Sequence, residues 1–161
     1  MNVELSPEPP RADVEYIVAN LRERDRAEIF ATKWTTDEAE LVEAVLAAGA
    51  FQWAAYVNGE PVALIGASPR WPNVWSMWAF GTDKWPLAVR RLTKHAKNFM
   101  FPALMNAGAV RADCYALETH EDARRWLKAL GAIEEQRLAN WGKNGETFVC
   151  YCWLRKTTND P

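Results

Sequence analysis

The sequence predicts an α/β fold with one central, mostly antiparallel sheet, a parallel strand-helix-strand crossover and helices on both faces. Three observations support this. Apolar residues first recur at helical spacing over 14–21, then form two runs joined by Asn58-Gly59, and finally alternate between strand runs and capped helical segments. The 161 residues suit one ordinary domain. We expect residues 1–156 to form a single domain and residues 157–161 to be a flexible tail.

The first half of the chain predicts a strand, helices and the start of a β-meander. Residues 3–5 form a short strand, and helices follow from Arg11 and Ala27. Thr35 and Glu38 have the spacing of a capping box, which predicts a third helix that stops near Gly49. Runs over 51–57 and 61–67 flank an Asn-Gly pair, which is the strongest short signal for a hairpin.

The second half predicts the crossover and two closing strands. A loop over 68–72 precedes a strand over 74–80, and Pro86 suits the first turn of the next helix. Pro102 should kink or divide that helix. Because a strand over 109–117 follows, the unit should be a right-handed parallel crossover. Thr119 is expected to cap a helix that ends at Gly131, before strands over 132–141 and 146–154.

Composition excludes several classes of function. A net charge of −2, with no basic stripe, gives no reason to expect nucleic acid or a membrane surface as a partner. No apolar run approaches the roughly 20 residues of a membrane span, and the first ten residues lack the pattern of a signal peptide. Cys114, Cys150 and Cys152 do not form a disulfide framework, and His95 and His120 are too isolated to complete a zinc site. We expect no metal.

Nine tryptophans are the most unusual feature of the composition. Trp71, Trp75, Trp78 and Trp85 lie close together in sequence. Such clusters serve hydrophobic cores and protein interfaces alike. The sequence leaves both alternatives open.

Residues 119–132, which read THEDARRWLKALGA, resemble a helix motif of the GNAT-like acyl-CoA N-acyltransferases. Ala123, Trp126, Leu130 and Gly131 match that motif, whereas His120 replaces its usual Asn and Ala132 its usual Phe. The order of elements is similar to that fold over nearly the whole chain. The resemblance implies a GNAT-like fold with acetyl-CoA as the cofactor.

Residues 126–133 and the aromatic final strand are also similar to a small family from short-tailed bacteriophages, known as acyltransferase-like or internal virion proteins. That resemblance implies a phage-encoded protein that works in the host cytoplasm or is packaged in the virion. Its partner would be a virion or host protein.

The GNAT resemblance places a pyrophosphate-binding turn at 81–88, where glycines normally expose backbone amides to the phosphates. Here the turn has one glycine, and Pro86 removes a donor. The residues that would bind the cofactor are Lys84, Trp85, Arg90 and Arg91. The glycine-poor turn predicts an eroded CoA site.

Catalysis would need a base for the acceptor amine and an acid for the departing thiolate. The family's usual acid is a Tyr at the position of Leu127, so Tyr115 on the preceding strand is the substitute. Glu118 and His120 are the candidate bases. The non-catalytic alternatives are that Glu118 is a solvated loop residue and that His120 is simply exposed at the start of its helix. Cys114 would be a nucleophile only beside a base; a buried thiol is the simpler expectation.

Two functions remain. The first is a non-catalytic GNAT-like protein that binds a virion or host protein through Trp71 and Trp75, and the eroded turn favours it. The alternative is an active N-acetyltransferase that uses acetyl-CoA to modify a host or phage protein or a small amine.

Overall fold

The computed structural model describes residues 1–156, so the predicted tail at 157–161 lies outside the described residues. The strands are β1 (Val3–Pro7), β2 (Gln52–Val57), β3 (Glu60–Trp71), β4 (Val74–Gly81), β5 (Arg111–Leu117), β6 (Ile133–Leu138) and β7 (Phe148–Leu154). The helices are α1 (Arg11–Ala19), α2 (Glu23–Ala31), α3 (Glu38–Ala47), α4 (Trp85–His95), α5 (Phe101–Asn106) and α6 (Glu121–Ala129). A π-helical turn, Ala96–Met100, joins α4 to α5.

The strands form one sheet in the order β1-β2-β3-β4-β5-β7-β6. All neighbours are antiparallel except β4 and β5, which are parallel and are connected through α4 and α5. This confirms the predicted mixed sheet with one crossover. None of the helices described in residues 1–156 has the length and apolar character needed to cross a membrane.

The hairpin between β2 and β3 forms at the predicted turn. Asn58 and Gly59 both have positive φ angles, of 51° and 84°. That is the geometry of a two-residue turn matching the twist of paired strands, which Asn and Gly tolerate best. It aligns Val57 with Glu60 and so fixes the register of both strands.

The sheet has a hydrophobic core on each face because successive side chains of its central strands point in opposite directions. On β3, Leu64 packs with residues of α1 and α3, and Ile65 packs on the other face with residues of α4. The helices therefore lie on both faces, as predicted.

Two helix caps differ from the prediction. Asp37, and not Thr35, caps α3: its Oδ1 accepts the amide of Ala39 at 2.9 Å, while the Thr35 hydroxyl donates to Glu40 at 2.7 Å. His120, and not Thr119, caps α6. In both cases a side chain nearer to the first free amide makes the bond.

The prediction of a loop over 68–72 is also wrong. β3 continues to Trp71, because β4 pairs with it up to the contact between Trp71 and Val74. Pro69 is accommodated beside an irregularity in that pairing. Strand pairing thus overrides the proline-rich composition, as proline is tolerated at bulges.

Pro102 does divide the helical segment. The π-helical turn ends at Met100, and Pro102 follows in the first turn of α5, with the backbone helical at both Met100 and Phe101. The extra residue per turn in the π segment removes the clash that the proline ring would make with the carbonyl of the preceding turn.

Candidate functional site

A cleft opens in the sheet between β4 and β5. The two strands pair only from Val74 with Arg111 to Ser76 with Asp113, and they separate beyond that point. A cavity of about 680 Å³ lies in the gap and is bordered by both strands and by α2, α3 and α6. Partly open cavities of this size, with mostly apolar walls, are typical of ligand sites.

Aromatic side chains form much of the wall. Trp78 of β4 stacks with Phe80 at a ring distance of 5.8 Å, and Tyr115 of β5 stacks on Trp141 at 5.6 Å with the planes 9° apart. Trp78 can lie flat across β3 because residue 66 is glycine: a Cβ there would be 2.4 Å from the indole. Both pairs line the cavity.

A buried polar cluster centred on Asp25 closes one side of the cleft. The Asp25 carboxylate accepts Nη2 of Arg22 at 2.8 Å, Nε2 of His120 at 2.8 Å and the amide of Gly81 at 2.8 Å. Nδ1 of His120 accepts the amide of Ala123, so the His120 proton lies on Nε2 and is donated to Asp25. The cluster ties α2, the end of β4 and the start of α6 together.

The turn after β4 has few amides free for a ligand. The amide of Thr82 donates to the Val62 carbonyl at 2.8 Å, and that of Trp85 to the Thr82 carbonyl at 2.9 Å. The amide of Lys84 donates to the Thr82 hydroxyl at 3.2 Å. The amide of Gly81 donates to Asp25. All four amides therefore bond to other groups of the protein and are not free for a ligand.

Aromatic packing fills the space between α4 and α6 beside that turn. Trp85 is 7% exposed and meets Trp126 edge to face at a ring distance of 5.1 Å. The guanidinium of Arg22 lies 4.8 Å from the Trp85 ring centre, and Nε1 of Trp126 donates to Thr93 at 2.8 Å. The start of α4 is therefore covered by indole rings and an arginine.

Glu28 of α2 places a second carboxylate in the cavity. Its Oε2 accepts the amide of Leu117 at 2.9 Å. Burial raises the pKa of Glu28 from 4.5 to about 7, because removing a carboxylate from water disfavours its charged form. A carboxyl group with this pKa can hold or release a proton near neutral pH.

No protein-family model matches the chain, and no curated protein matches its sequence. Solved structures match its fold. Ard1 from Thermoplasma volcanium has a TM-score of 0.74 and 12% identity over 98% of this chain and 100% of that chain. A GNAT-family acetyltransferase from Bacillus anthracis has a TM-score of 0.67 and 12% identity over 96% and 95%. YncA from Salmonella typhimurium, solved with its cofactor acetyl-CoA, has a TM-score of 0.69 and 13% identity over 100% and 98%.

This chain has the GNAT acetyltransferase fold. The likeness covers essentially the whole described domain, and it confirms the fold that residues 119–132 and the order of elements predicted. At these identities it establishes the fold alone.

Within the GNAT fold, the predicted catalytic residues do not meet at one place. Tyr115 lines the cavity, and burial raises its pKa. His120 lines the cavity too, but it is buried as the cap of α6 and is not an exposed histidine. Glu118 is not among the lining residues; its carboxylate makes a forked ion pair with Arg137, at 2.6 and 3.1 Å, which lowers its pKa.

The predicted cofactor-binding residues are similarly dispersed. Trp85 is buried in the aromatic packing, whereas Lys84 is exposed and pairs with Glu60. Arg90 and Arg91 are exposed on α4. Of these four residues, Trp85 lines the cavity between β4 and β5 and the other three do not.

The remaining candidates also have defined places. Trp71 is 61% exposed at the β3–β4 turn, while Trp75 is half-buried against the core and Phe51. Cys114 lines the cavity, but burial raises the pKa of its thiol, which favours the unreactive protonated form.

Sequence reasoning missed Asp25 and Glu28. Both lie on α2, which begins at Glu23 and not at Ala27 as predicted, so the prediction placed Asp25 in a charged stretch before the helix. The available signal was their spacing: with Ile29 and Thr32 they lie three to four positions apart, the interval of one helix face. A carboxylate on the stripe that faces the core is rare unless it is paired or functional.

Proposed function

We propose that this GNAT-fold chain acts by binding a protein and does not transfer acetyl groups from acetyl-CoA. The observation that carries the proposal is the state of the turn after β4. Four backbone amides of that turn, those of Gly81, Thr82, Lys84 and Trp85, already donate to Asp25, Val62 and Thr82.

Binding a pyrophosphate there would require these bonds to break. Each buried group left without a partner costs about 1–3 kcal/mol, which a ligand contact would first have to offset. Lys84 is occupied by Glu60, so Arg90 and Arg91 would be the main attraction, and they are solvated surface charges.

The aromatic packing supports the same conclusion. Trp85 and Trp126 meet beside the turn, and Arg22 covers the Trp85 ring. A ligand entering between α4 and α6 would have to separate the two indoles. Well-packed interiors resist such displacement.

The surface supports a protein as the partner. Trp71 is 61% exposed at a turn, and Trp34 is fully exposed in the segment between α2 and α3. Tryptophan is enriched among residues that dominate protein interfaces. The resemblance to the phage family gives the partner's class: a virion component or a host protein, met in the host cytoplasm or in the particle.

Calorimetric titration with acetyl-CoA and with free CoA tests the proposal. We expect no binding up to millimolar ligand and no thermal stabilisation. Binding at micromolar concentration that is lost when Lys84 and Arg90 are changed to alanine would refute it.

The partner is tested by capture from purified phage particles and from host extract. Changing Trp71 to alanine should abolish capture of a partner that the unaltered protein retains. Changing Leu87, a similarly exposed apolar residue on α4, is the matched control.

The alternative is an active N-acetyltransferase acting on a host or phage protein or a small amine. The position of Glu28 in the cavity favours this alternative. A carboxyl group with a pKa of about 7 can act as a general base near neutral pH. Acetyl-CoA hydrolysis or transfer to a panel of amines, lost in Glu28→Gln, would establish that function instead.

A further inference from the structure

The outer side of α4 and of the π-helical turn that follows it is strongly basic. Arg90, Arg91, Lys94 and Lys97 are all exposed, and none of them makes an ion pair or a hydrogen bond within residues 1–156. The sequence has no Asp or Glu from residue 84 to residue 112. The net charge of −2 therefore conceals a local excess of positive charge, and the expectation of no basic stripe is wrong for this helix. These four residues form what we call the α4 basic surface.

Three of these cations lie in a row. Arg90, Lys94 and Lys97 are four and three positions apart, which is the spacing of neighbours on one helix face. Like charges at this spacing destabilise a helix, so a bound anion would relieve their repulsion. The row spans about 10 Å at ~1.5 Å per residue, which is the length of about three stacked nucleotides at ~3.4 Å each.

An aromatic ring is fixed beside the α4 basic surface. Phe99 is 52% exposed; its ring stacks on His95 at 5.2 Å with the planes 15° apart, and it meets Trp53 edge to face at 5.6 Å. Burial, and to a smaller extent the charge of Arg91, lowers the pKa of His95, so the imidazole is neutral at pH 7 and Arg91 lies close to it. A ring supported from two sides and still half exposed offers a surface on which an unpaired base can stack.

The chemistry of this surface favours a nucleic acid over other polyanions. Lysine is depleted at protein interfaces, whereas Lys and Arg both contact phosphate oxygens. A helix that lies on a membrane inserts its apolar face into the lipid, but the apolar face of α4, with Ala88 and Leu92, is buried in the core. A nucleic acid that binds the cations also releases the counterions condensed on its own phosphates, which favours association.

We propose that the α4 basic surface, together with Phe99, binds a short stretch of single-stranded nucleic acid. The cations contact its phosphates and one base stacks on Phe99. The residues that line the cavity between β4 and β5 include none of these five. The site therefore needs neither CoA nor the protein partner of the proposed function.

Fluorescence anisotropy with a labelled oligothymidylate of about 15 nucleotides tests the site. Three or four phosphate contacts give a slope of about −2 to −3 for log affinity against log salt, so affinity should fall roughly twentyfold to fiftyfold between 50 and 200 mM salt. A strand of abasic nucleotides with the same number of phosphates should bind at least fivefold more weakly, because it has no base to stack. A polyglutamate of equal charge should bind at least tenfold more weakly.

Paired substitutions separate the position of the charges from their number. Changing both Lys94 and Lys97 to glutamine should weaken oligothymidylate at least fivefold at 50 mM salt and make the salt slope shallower by about 1.4. Changing both Arg125 and Lys128 to glutamine is the matched control, because it removes two exposed cations from α6 that already pair with carboxylates. The control should bind within twofold of the unaltered protein.

A separate variant tests the ring. Phe99→Leu keeps an apolar contact for Trp53 and removes the stacking surface. It should weaken oligothymidylate at least fivefold and leave the abasic strand unchanged. The salt slope should stay the same, because no phosphate contact is lost.

Several results would overturn the proposal. No binding of oligothymidylate at 0.1 mM protein and 50 mM salt would do so, as would an equal loss in the α6 control or no loss in Phe99→Leu. Equal binding of polyglutamate would assign the surface to an acidic protein, and equal binding of phosphatidylserine vesicles would assign it to a membrane. Acetyl-CoA binding would refute the proposed function and leave this site unaffected, so the two can be told apart.

Discussion

Replacing Glu28 with glutamine should stabilise the protein, and the gain should grow with pH. The carboxylate lies against the cavity on α2, where burial raises its pKa from 4.5 to about 7. Because the folded pKa is higher than the unfolded one, the folded state holds the proton more tightly. Stability is therefore greatest when the carboxyl is protonated, and it falls as the pH rises from 4.5 through 7.

The size of the effect follows from the two pKa values. A difference of one pH unit corresponds to ~1.4 kcal/mol, so full ionisation of Glu28 costs the folded state about 3 kcal/mol. Part of that cost is already present at pH 5. Glutamine has no charge and keeps an oxygen for the Leu117 amide. The variant should exceed the unaltered protein by about 1 kcal/mol at pH 5 and about 3 kcal/mol at pH 8.

Urea unfolding of both proteins at several pH values measures this difference. Groups that titrate equally in both proteins cancel in the comparison. Glu15→Gln, on the exposed face of α1, should change stability by less than about 0.5 kcal/mol at every pH. A difference that is flat with pH, or a Glu28→Gln protein that is less stable at pH 8, would show that the carboxylate is not destabilised by burial.

Four further substitutions test side-chain packing by thermal or urea unfolding. Asp25→Ala should cost about 3–5 kcal/mol, because it leaves the partly buried guanidinium of Arg22 and the amide of Gly81 unpaired; a cost below 1 kcal/mol would mean that water replaces the carboxylate. Gly66→Ala should cost about 1–3 kcal/mol and alter tryptophan fluorescence, since the new Cβ falls 2.4 Å from the Trp78 ring; unchanged stability would place Trp78 elsewhere. Trp71→Ala should change stability by less than about 0.5 kcal/mol and Trp75→Ala by about 2 kcal/mol or more, and a large loss for Trp71 would make it a core residue.

Local signals were sufficient for most of the fold. Asn58-Gly59 determines a turn through backbone angles that few other residues adopt, so the hairpin and its register follow directly. Pro102 changes the helix type by removing an amide, and that consequence also needs no tertiary information. The parallel crossover follows from a helical segment between two strands.

Features that depend on distant partners were not predictable in the same way. β3 extends through Pro69 because β4 pairs with it, and His120 caps α6 because Asp25, distant in sequence, fixes its ring. Glu118 was a reasonable candidate for the base because it directly follows β5, but its carboxylate forms an ion pair with Arg137 on β6. A motif read along one helix could not reveal these pairings.

The Asp25 cluster satisfies the backbone at the end of β4 from within the chain. Backbone amides at the end of β4 need an acceptor, and a buried donor without one is costly. Here the Asp25 carboxylate supplies that acceptor to Gly81 from within the chain, while Arg22 pairs with its charge and His120 donates a further hydrogen bond. The cleft is thereby stabilised from one side by the protein itself.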